Sequence, residues 1–129
     1  MAYRDQTRAK IAFDRVDAAS RETFKDKYGR LCLRLPSLIQ YNGLCQALAF
    51  LESKGKPEHR RLLDDLAATT QKATNGAALT NLARTEPGAG YMRLTDEALR
   101  CSVFLKRYAE AVLKPDLTAP DLEETEPAA

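Results

Sequence analysis

Few side chains in this sequence are suited to catalysis. The single histidine, His59, lies between Glu58 and Arg60 at the predicted start of a helix. A Cys–His nucleophilic pair needs a third group that orients the imidazole, and no neighbouring residue supplies one. We therefore predict that His59 is a surface residue and not a general base.

The adjacent carboxylates Asp64 and Asp65 are the other candidates for acid–base or metal chemistry. Neighbouring positions on a helix point about 100° apart, so the pair does not converge on one ion. No second acidic cluster completes a two-metal centre. The segment Gly88-Ala89-Gly90 lacks the Lys-Ser/Thr pair that follows a phosphate-binding loop. We predict solvated carboxylates, no metal, no cofactor and no enzymatic activity.

The three cysteines, Cys32, Cys45 and Cys101, are odd in number, and none forms a C-x-x-C pair. This pattern argues against a disulfide framework or a zinc knuckle. Each cysteine falls in a mostly apolar helical stretch. We predict that all three are small core residues.

Basic side chains at helical spacing are the strongest chemical signal. Such side chains neutralise phosphates without reading base sequence, and a nearby aromatic ring, here Phe104, can stack on a base. The candidate RNA-binding residues are Arg8 and Arg15 on the first helix, Lys27, Arg30 and Arg34 on the second, and Arg100, Lys106 and Arg107 on the last.

The same rows have a second interpretation, because amphipathic helices normally carry Lys and Arg on their solvated face. A helical adaptor that binds acidic protein partners is therefore the alternative to a nucleic-acid-binding protein. A third possibility is an enzyme whose site is completed at a subunit interface.

Charge is distributed unevenly along the chain. Of its 129 residues, 20 are Lys or Arg and 18 are Asp or Glu. The segment after Lys114 holds 5 of the acidic residues and no basic one, so residues 1–114 have a net charge of +7. We predict one domain over residues 1–114 and an acidic, flexible tail over 115–129. No apolar run is long enough to span a membrane, and we predict a cytoplasmic protein.

Helical periodicity recurs along the chain and strand patterns are nearly absent, which predicts an all-α bundle of five to six helices. Helices are expected over residues 4–19, from a cap at Ser20 to Leu35, from Pro36 through the apolar run 38–51, over 58–72, over 77–84, and from a cap at Thr95 to Pro115, with a loop over 85–90. Asn42-Gly43 is expected to kink or break the third of these, and Gly43 to adopt a conformation that requires glycine.

Two blocks of the sequence resemble a known family. The first comprises YGRL at 28–31, LPSLI at 35–39 and NGLCQALAFL at 42–51, and the second YMRLTDEAL at 91–99 and FLKRYAEA at 104–111. Together they are similar to the small helical subunit of the type III-B CRISPR–Cas effector, the Cmr complex. The resemblance covers residues 1–114 and suggests structural roles for Pro36, Gly43, Gln46 and Phe104. Phe104 stands where the family often has tryptophan, and the acidic tail is outside the pattern.

The resemblance implies a non-catalytic subunit of an RNA-guided, RNA-targeting ribonucleoprotein. Copies of such a subunit stack head-to-tail beside the filament that carries the guide RNA, and they line the groove that holds the guide–target duplex. The implied partners are other subunits of the complex, further copies of this chain, guide RNA and target RNA. Target cleavage belongs to other subunits.

Overall fold

The computed structural model describes residues 2–117, and within them six helices and no strand. The helices are α1 (Ala2–Ala19), α2 (Lys25–Asn42), α3 (Leu44–Lys54), α4 (Pro57–Thr70), α5 (Gly76–Thr85) and α6 (Gly88–Tyr108). A π-helical turn, Ala109–Leu113, continues α6. The predicted all-α bundle is confirmed.

Helix α4 lies at the centre of the bundle and contacts each of the other five helices. Leu62 and Leu66 are completely buried at this centre. Helices α2 and α6 form the most extensive helix–helix contact of the bundle. They run antiparallel, since Gly29 near the start of α2 lies against Leu113, and Gly43 at its end lies against Tyr91.

The predicted apolar stripe of the last helix is confirmed. Leu94, Ala98, Cys101 and Leu105 are all buried at spacings of three and four residues. Cys32 is also buried and Cys45 partly so, and all three cysteines carry free thiols. The interpretation of the cysteines as small core residues therefore holds.

Pro36 does not begin a new helix, which corrects the prediction. It lies inside α2, which continues to Asn42. Proline cannot donate the usual hydrogen bond to the carbonyl of Cys32, and in a helix interior it costs about 3 kcal/mol. Leu35, Leu38 and Ile39 are buried on either side of it, and their packing offsets that cost.

Gly43 separates α2 from α3 as a single non-helical residue, which confirms the predicted break. Its φ of 84° and ψ of 161° lie in a region that is essentially restricted to glycine. The Gly43 amide donates to the Ile39 carbonyl, and its own carbonyl accepts from the Ala47 amide. The residue therefore ends one helix and starts the next.

Helix α6 begins eight residues earlier than predicted, with its cap at Pro87 instead of Thr95. Only Glu86 and Pro87 remain of the predicted loop. Glycines 88 and 90 each cost a helix about 1 kcal/mol relative to alanine. The tyrosine that follows offsets this, because Tyr91 packs on the core and its hydroxyl accepts a 3.1 Å hydrogen bond from the Cys45 amide.

The start of α2 was also predicted too early. Helix α2 begins at Lys25, after a turn in which the Ser20 hydroxyl donates back to the Asp17 carbonyl at 2.5 Å. Ser20 therefore closes α1 and does not cap α2. A serine hydroxyl bonds backbone groups in either direction, so its residue type alone did not decide between the two helices.

Candidate nucleic-acid interface

The basic row of α2 consists of Lys27, Arg30 and Arg34, which lie along one helix face. Lys27 is exposed, whereas the side chain of Arg30 is only 13% exposed. Its Nη1 donates to Asp26 Oδ2 at 2.6 Å and to the Asp116 carbonyl at 3.2 Å. Arg34 is partly buried. Lys27 is therefore the most solvent-exposed member of this row.

The basic residues predicted on α6 lie mainly on its solvated face. Arg100 and Arg107 are exposed, and each is paired along the helix, Arg100 with Asp96 at 3.0 Å and Arg107 with Glu110 at 3.3 Å. Lys106 is half-buried. Phe104 packs partly buried against the core, so its ring is not an open platform for base stacking.

Sequence reasoning missed Arg93, which is exposed and lies one heptad before Arg100. Arg93, Arg100 and Arg107 therefore recur every seven residues along α6, with about 10 Å of rise between neighbours. We call these three residues the α6 arginine row. The seven-residue spacing of Arg100 and Arg107, continued one heptad towards the N-terminus, leads to Arg93. The predicted helix began only at Thr95, so Arg93 fell outside it.

A groove of about 650 Å³ lies beside this row. Arg4 and Lys72 line it together with Arg93 and Arg100. The acidic residues Glu86, Asp96 and Glu97 also line it. The groove is therefore polar and moderately basic, which suits an extended anionic chain better than an apolar ligand.

Arg8 requires a correction, because it is not on a solvated face. It is 6% exposed, and its guanidinium binds both oxygens of Glu97, with Nε donating to Oε2 at 2.7 Å and Nη2 to Oε1 at 2.6 Å. Nη1 donates to Asp5 at 2.8 Å. The hydrogen bonds from Arg8 lower the pKa of Glu97. Arg8 thus joins α1 to α6 and is not placed to bind phosphate.

Arg15 and Asp65 belong to a polar network between α1, α2 and α4. Asp65 was expected to be solvated, but it is completely buried. It accepts from Tyr28 Oη at 2.5 Å, from Arg61 Nε at 3.0 Å and from Arg15 Nη1 at 3.3 Å. Burial raises the pKa of Asp65, although the hydrogen bond from Tyr28 and the charge of Arg61 oppose the shift. The predicted solvation of Asp65 was wrong.

The other half of that acidic pair behaves differently. Asp64 is exposed, and its Oδ1 accepts a 2.7 Å hydrogen bond from the Gly76 amide at the first turn of α5. An ideal Cβ on Gly76 would lie 2.7 Å from Leu63 Cβ, so glycine permits this close approach of α4 and α5. The two carboxylates therefore have separate structural roles.

His59 was predicted to lie on the surface, and this was also wrong. Its side chain is completely buried, with Nδ1 3.7 Å from Glu58 Oε2 and the ring edge-on to Phe50 at 6.1 Å. Gln46, predicted to be structural, is exposed on α3. Burial depends on how α3 and α4 pack, and the residue types did not reveal it.

Among residues 2–117, no three His, Cys, Asp or Glu side chains are grouped so as to hold a metal ion. No helix of that part of the chain is both long and apolar enough to cross a bilayer. Fold and surface together define a small helical bundle with a solvated arginine row on α6 and a buried polar network between α1, α2 and α4.

Comparison with known proteins agrees with this class. The family model described as CRISPR-associated protein (Cas_Cmr5) matches residues 4–112. The CRISPR system Cmr subunit Cmr5 of Thermus thermophilus is 35% identical over 114 residues, which cover 88% of this chain and 99% of that protein. The chain belongs to the Cmr5 family.

A solved structure supports the same assignment. The crystal structure of a CRISPR-associated Cmr5 family protein from Thermus thermophilus matches with a TM-score of 0.81 at 35% sequence identity. The match covers 85% of this chain and 96% of the other. The family model ends at residue 112, so the acidic tail is outside it.

Proposed function

We propose that this chain is the non-catalytic small subunit of a CRISPR RNA-guided, RNA-targeting effector complex in the cytoplasm. Several copies stack head-to-tail beside the backbone filament and line the groove that holds the guide–target duplex. Membership of the Cmr5 family supports the assignment to the complex. The α6 arginine row is the single structural observation that supports contact with RNA.

The geometry of this row favours a long polyanion. Three guanidinium groups along about 20 Å of helix provide a line of positive charge instead of a closed pocket. Arg100 and Arg107 each share their charge with a carboxylate on the same helix. Individual contacts are therefore weak, and we expect a single isolated subunit to bind RNA weakly and without sequence preference.

The non-catalytic role is supported by what the polar residues do. Asp65 and Tyr28 bond each other in the interior, and Glu97 holds Arg8. Burial raises the pKa of the Cys32 and Cys101 thiols, which leaves them protonated and poor nucleophiles. In our proposal, target cleavage belongs to other subunits.

Exposed apolar side chains support contacts with protein partners. Tyr41 and Met92 are 69% and 71% exposed and adjoin the junction where Tyr91 meets Gly43. In the proposal these residues contribute to an interface with another subunit or a second copy. The alternative is a helical adaptor without direct RNA contact, which would act only through such protein–protein interfaces.

The test replaces the α6 arginine row, Arg93→Ala with Arg100→Ala and Arg107→Ala, in every copy of a reconstituted complex. We expect full subunit occupancy, weaker target capture for all target sequences, and a shallower dependence of affinity on salt. Subunit occupancy and target affinity are measured on one preparation.

The matched control removes the same charge elsewhere, as Lys10→Ala with Arg21→Ala and Arg84→Ala. These residues are also exposed and also paired, with Asp14, Asp17 and Glu52. Equal effects of both triple variants on target affinity would contradict the proposal. Loss of the α6 variant from the complex, with normal target capture by the remainder, would support the adaptor instead.

A further inference from the structure

The chain segment after the π-helical turn is attached to the basic row of α2. Pro115 lies against Gly29, where an added Cβ would be 3.1 Å from the proline Cβ. The Asp116 amide donates to Asp26 Oδ1 at 3.0 Å, and its carbonyl accepts from Arg30 Nη1 at 3.2 Å. Two hydrogen bonds and one close apolar contact therefore fix where the tail begins.

The attachment point is the middle of the row. Lys27 lies three residues before Arg30 and Arg34 four residues after it, which corresponds to about 5 and 6 Å along the helix axis. The described chain ends at Leu117, which is exposed, and twelve residues follow it. An extended segment of that length reaches about 40 Å, so both ends of the row are within its range.

The tail and the row are opposite in charge. Residues 118–129 carry Asp121, Glu123, Glu124 and Glu126 and no basic side chain. A segment tethered within a few residues of its binding surface has an effective concentration of the order of millimolar. Weak ion pairs at this partly exposed row are then enough to keep the segment in place for much of the time.

We propose that the acidic tail, residues 118–126, docks on the basic row of α2 in its own chain and competes there with RNA. The tail is thus a built-in polyanion that shields Lys27, Arg30 and Arg34 in the free subunit. A longer, more highly charged RNA displaces it on assembly. The docking is independent of the proposed function, and only its effect on RNA binding rests on that function.

The test uses the full chain with a neutralised tail: Asp121→Asn, Glu123→Gln, Glu124→Gln and Glu126→Gln. Its matched control changes the net charge by the same amount at exposed carboxylates that do not contact the α6 arginine row, as Asp14→Asn, Asp17→Asn, Glu22→Gln and Glu52→Gln. The first measurement is the NMR signals of the α2 amides and of the Arg30 and Arg34 guanidinium groups, recorded without RNA at two protein concentrations.

We expect the tail variant, and not the control, to shift the signals of the α2 row at both concentrations. High salt should remove the difference from the parent, because the Debye length falls to about 3 Å at 1 M. Unchanged α2 signals in the tail variant would overturn the inference. A shift that appears only at the higher concentration would assign the tail to a second copy and overturn docking within one chain.

The second measurement is affinity for a 30-nucleotide single-stranded RNA at low salt. We expect the tail variant to bind about three- to tenfold more tightly than the control, since releasing one to two basic contacts changes affinity on that order. Equal affinities would overturn the competition. If neither variant binds RNA while the α2 signals still shift, the docking stands and the RNA-binding function fails.

Discussion

Arg8 and Glu97 are 89 positions apart in the chain, and their side chains form two hydrogen bonds of 2.7 and 2.6 Å that join α1 to α6. Cys101, one turn further along α6, places its thiol 3.4 Å from the same carboxylate. Both residues line the basic groove, but the guanidinium N–H groups of Arg8 donate to protein carboxylates. The geometry of the pair leads to two predictions.

Removing one partner of this pair should destabilise the bundle. We expect Arg8→Ala or Glu97→Ala to lower the free energy of unfolding by about 2–3 kcal/mol, as for other charge-assisted bonds in partly buried sites. Urea denaturation of both single variants and of the double variant measures their coupling energy. The exposed pair Lys10–Asp14 is the control, with an expected coupling below about 1 kcal/mol. Additive effects at Arg8 and Glu97 would show that the pair contributes no direct interaction.

The same pair should make stability depend on pH in the acid range. The pKa of Glu97 is lowered from its ordinary value of 4.5 by the hydrogen bonds from Arg8. The stabilisation is therefore complete above pH 4.5 and is lost as the pH falls through the lower, folded-state pKa. Glu97→Gln removes this term, so parent and variant should differ most near neutral pH and converge in acid. A difference that is constant from pH 7 to pH 3 would contradict the assignment.

The buried hydroxyl of Tyr28 should stabilise the fold through its hydrogen bond to Asp65. Tyr28→Phe keeps the packing but leaves the buried Asp65 without one of its donors, at an expected cost of about 1–3 kcal/mol. Tyr41→Phe is the control, because Tyr41 is 69% exposed and should change stability by less than about 0.5 kcal/mol. Thermal unfolding followed by circular dichroism compares the two. Equal melting temperatures for both variants would exclude a stabilising role for this hydrogen bond.

A side chain at Gly43 should strain the junction of α2 and α3. A Cβ there would meet no clash, since it would lie 3.9 Å from Tyr91 Oη. The obstacle is the backbone conformation, because its positive φ disfavours a side chain. We expect Gly43→Val to lower the free energy of unfolding by about 1–3 kcal/mol. Gly88→Ala is the matched control, because its Cβ would contact nothing within 4 Å and φ there is negative or extended; it should leave the melting temperature equal or higher. A Gly43 variant as stable as the parent would refute the strain.

Periodicity and composition were sufficient to predict the bundle. Leu94, Ala98, Cys101 and Leu105 recur at the helical repeat. A stripe of that kind is buried when that face of the helix packs against other helices. Gly43 was identified for a related reason, because Asn-Gly between two apolar helices is a local signal for a backbone that only glycine adopts. These features depend on the chain within a few residues of each position, and the sequence itself determines them.

The positions of the polar residues were decided by tertiary structure. His59, Asp65 and Arg8 have the residue types and local settings of surface side chains, yet each is buried because another helix packs against it. The same applies to Pro36, whose tendency to start a helix was outweighed by the packing of Leu35 and Ile39. A side chain's own sequence neighbourhood contains no information about the helix that packs over it, so only the folded chain shows which charges remain in water.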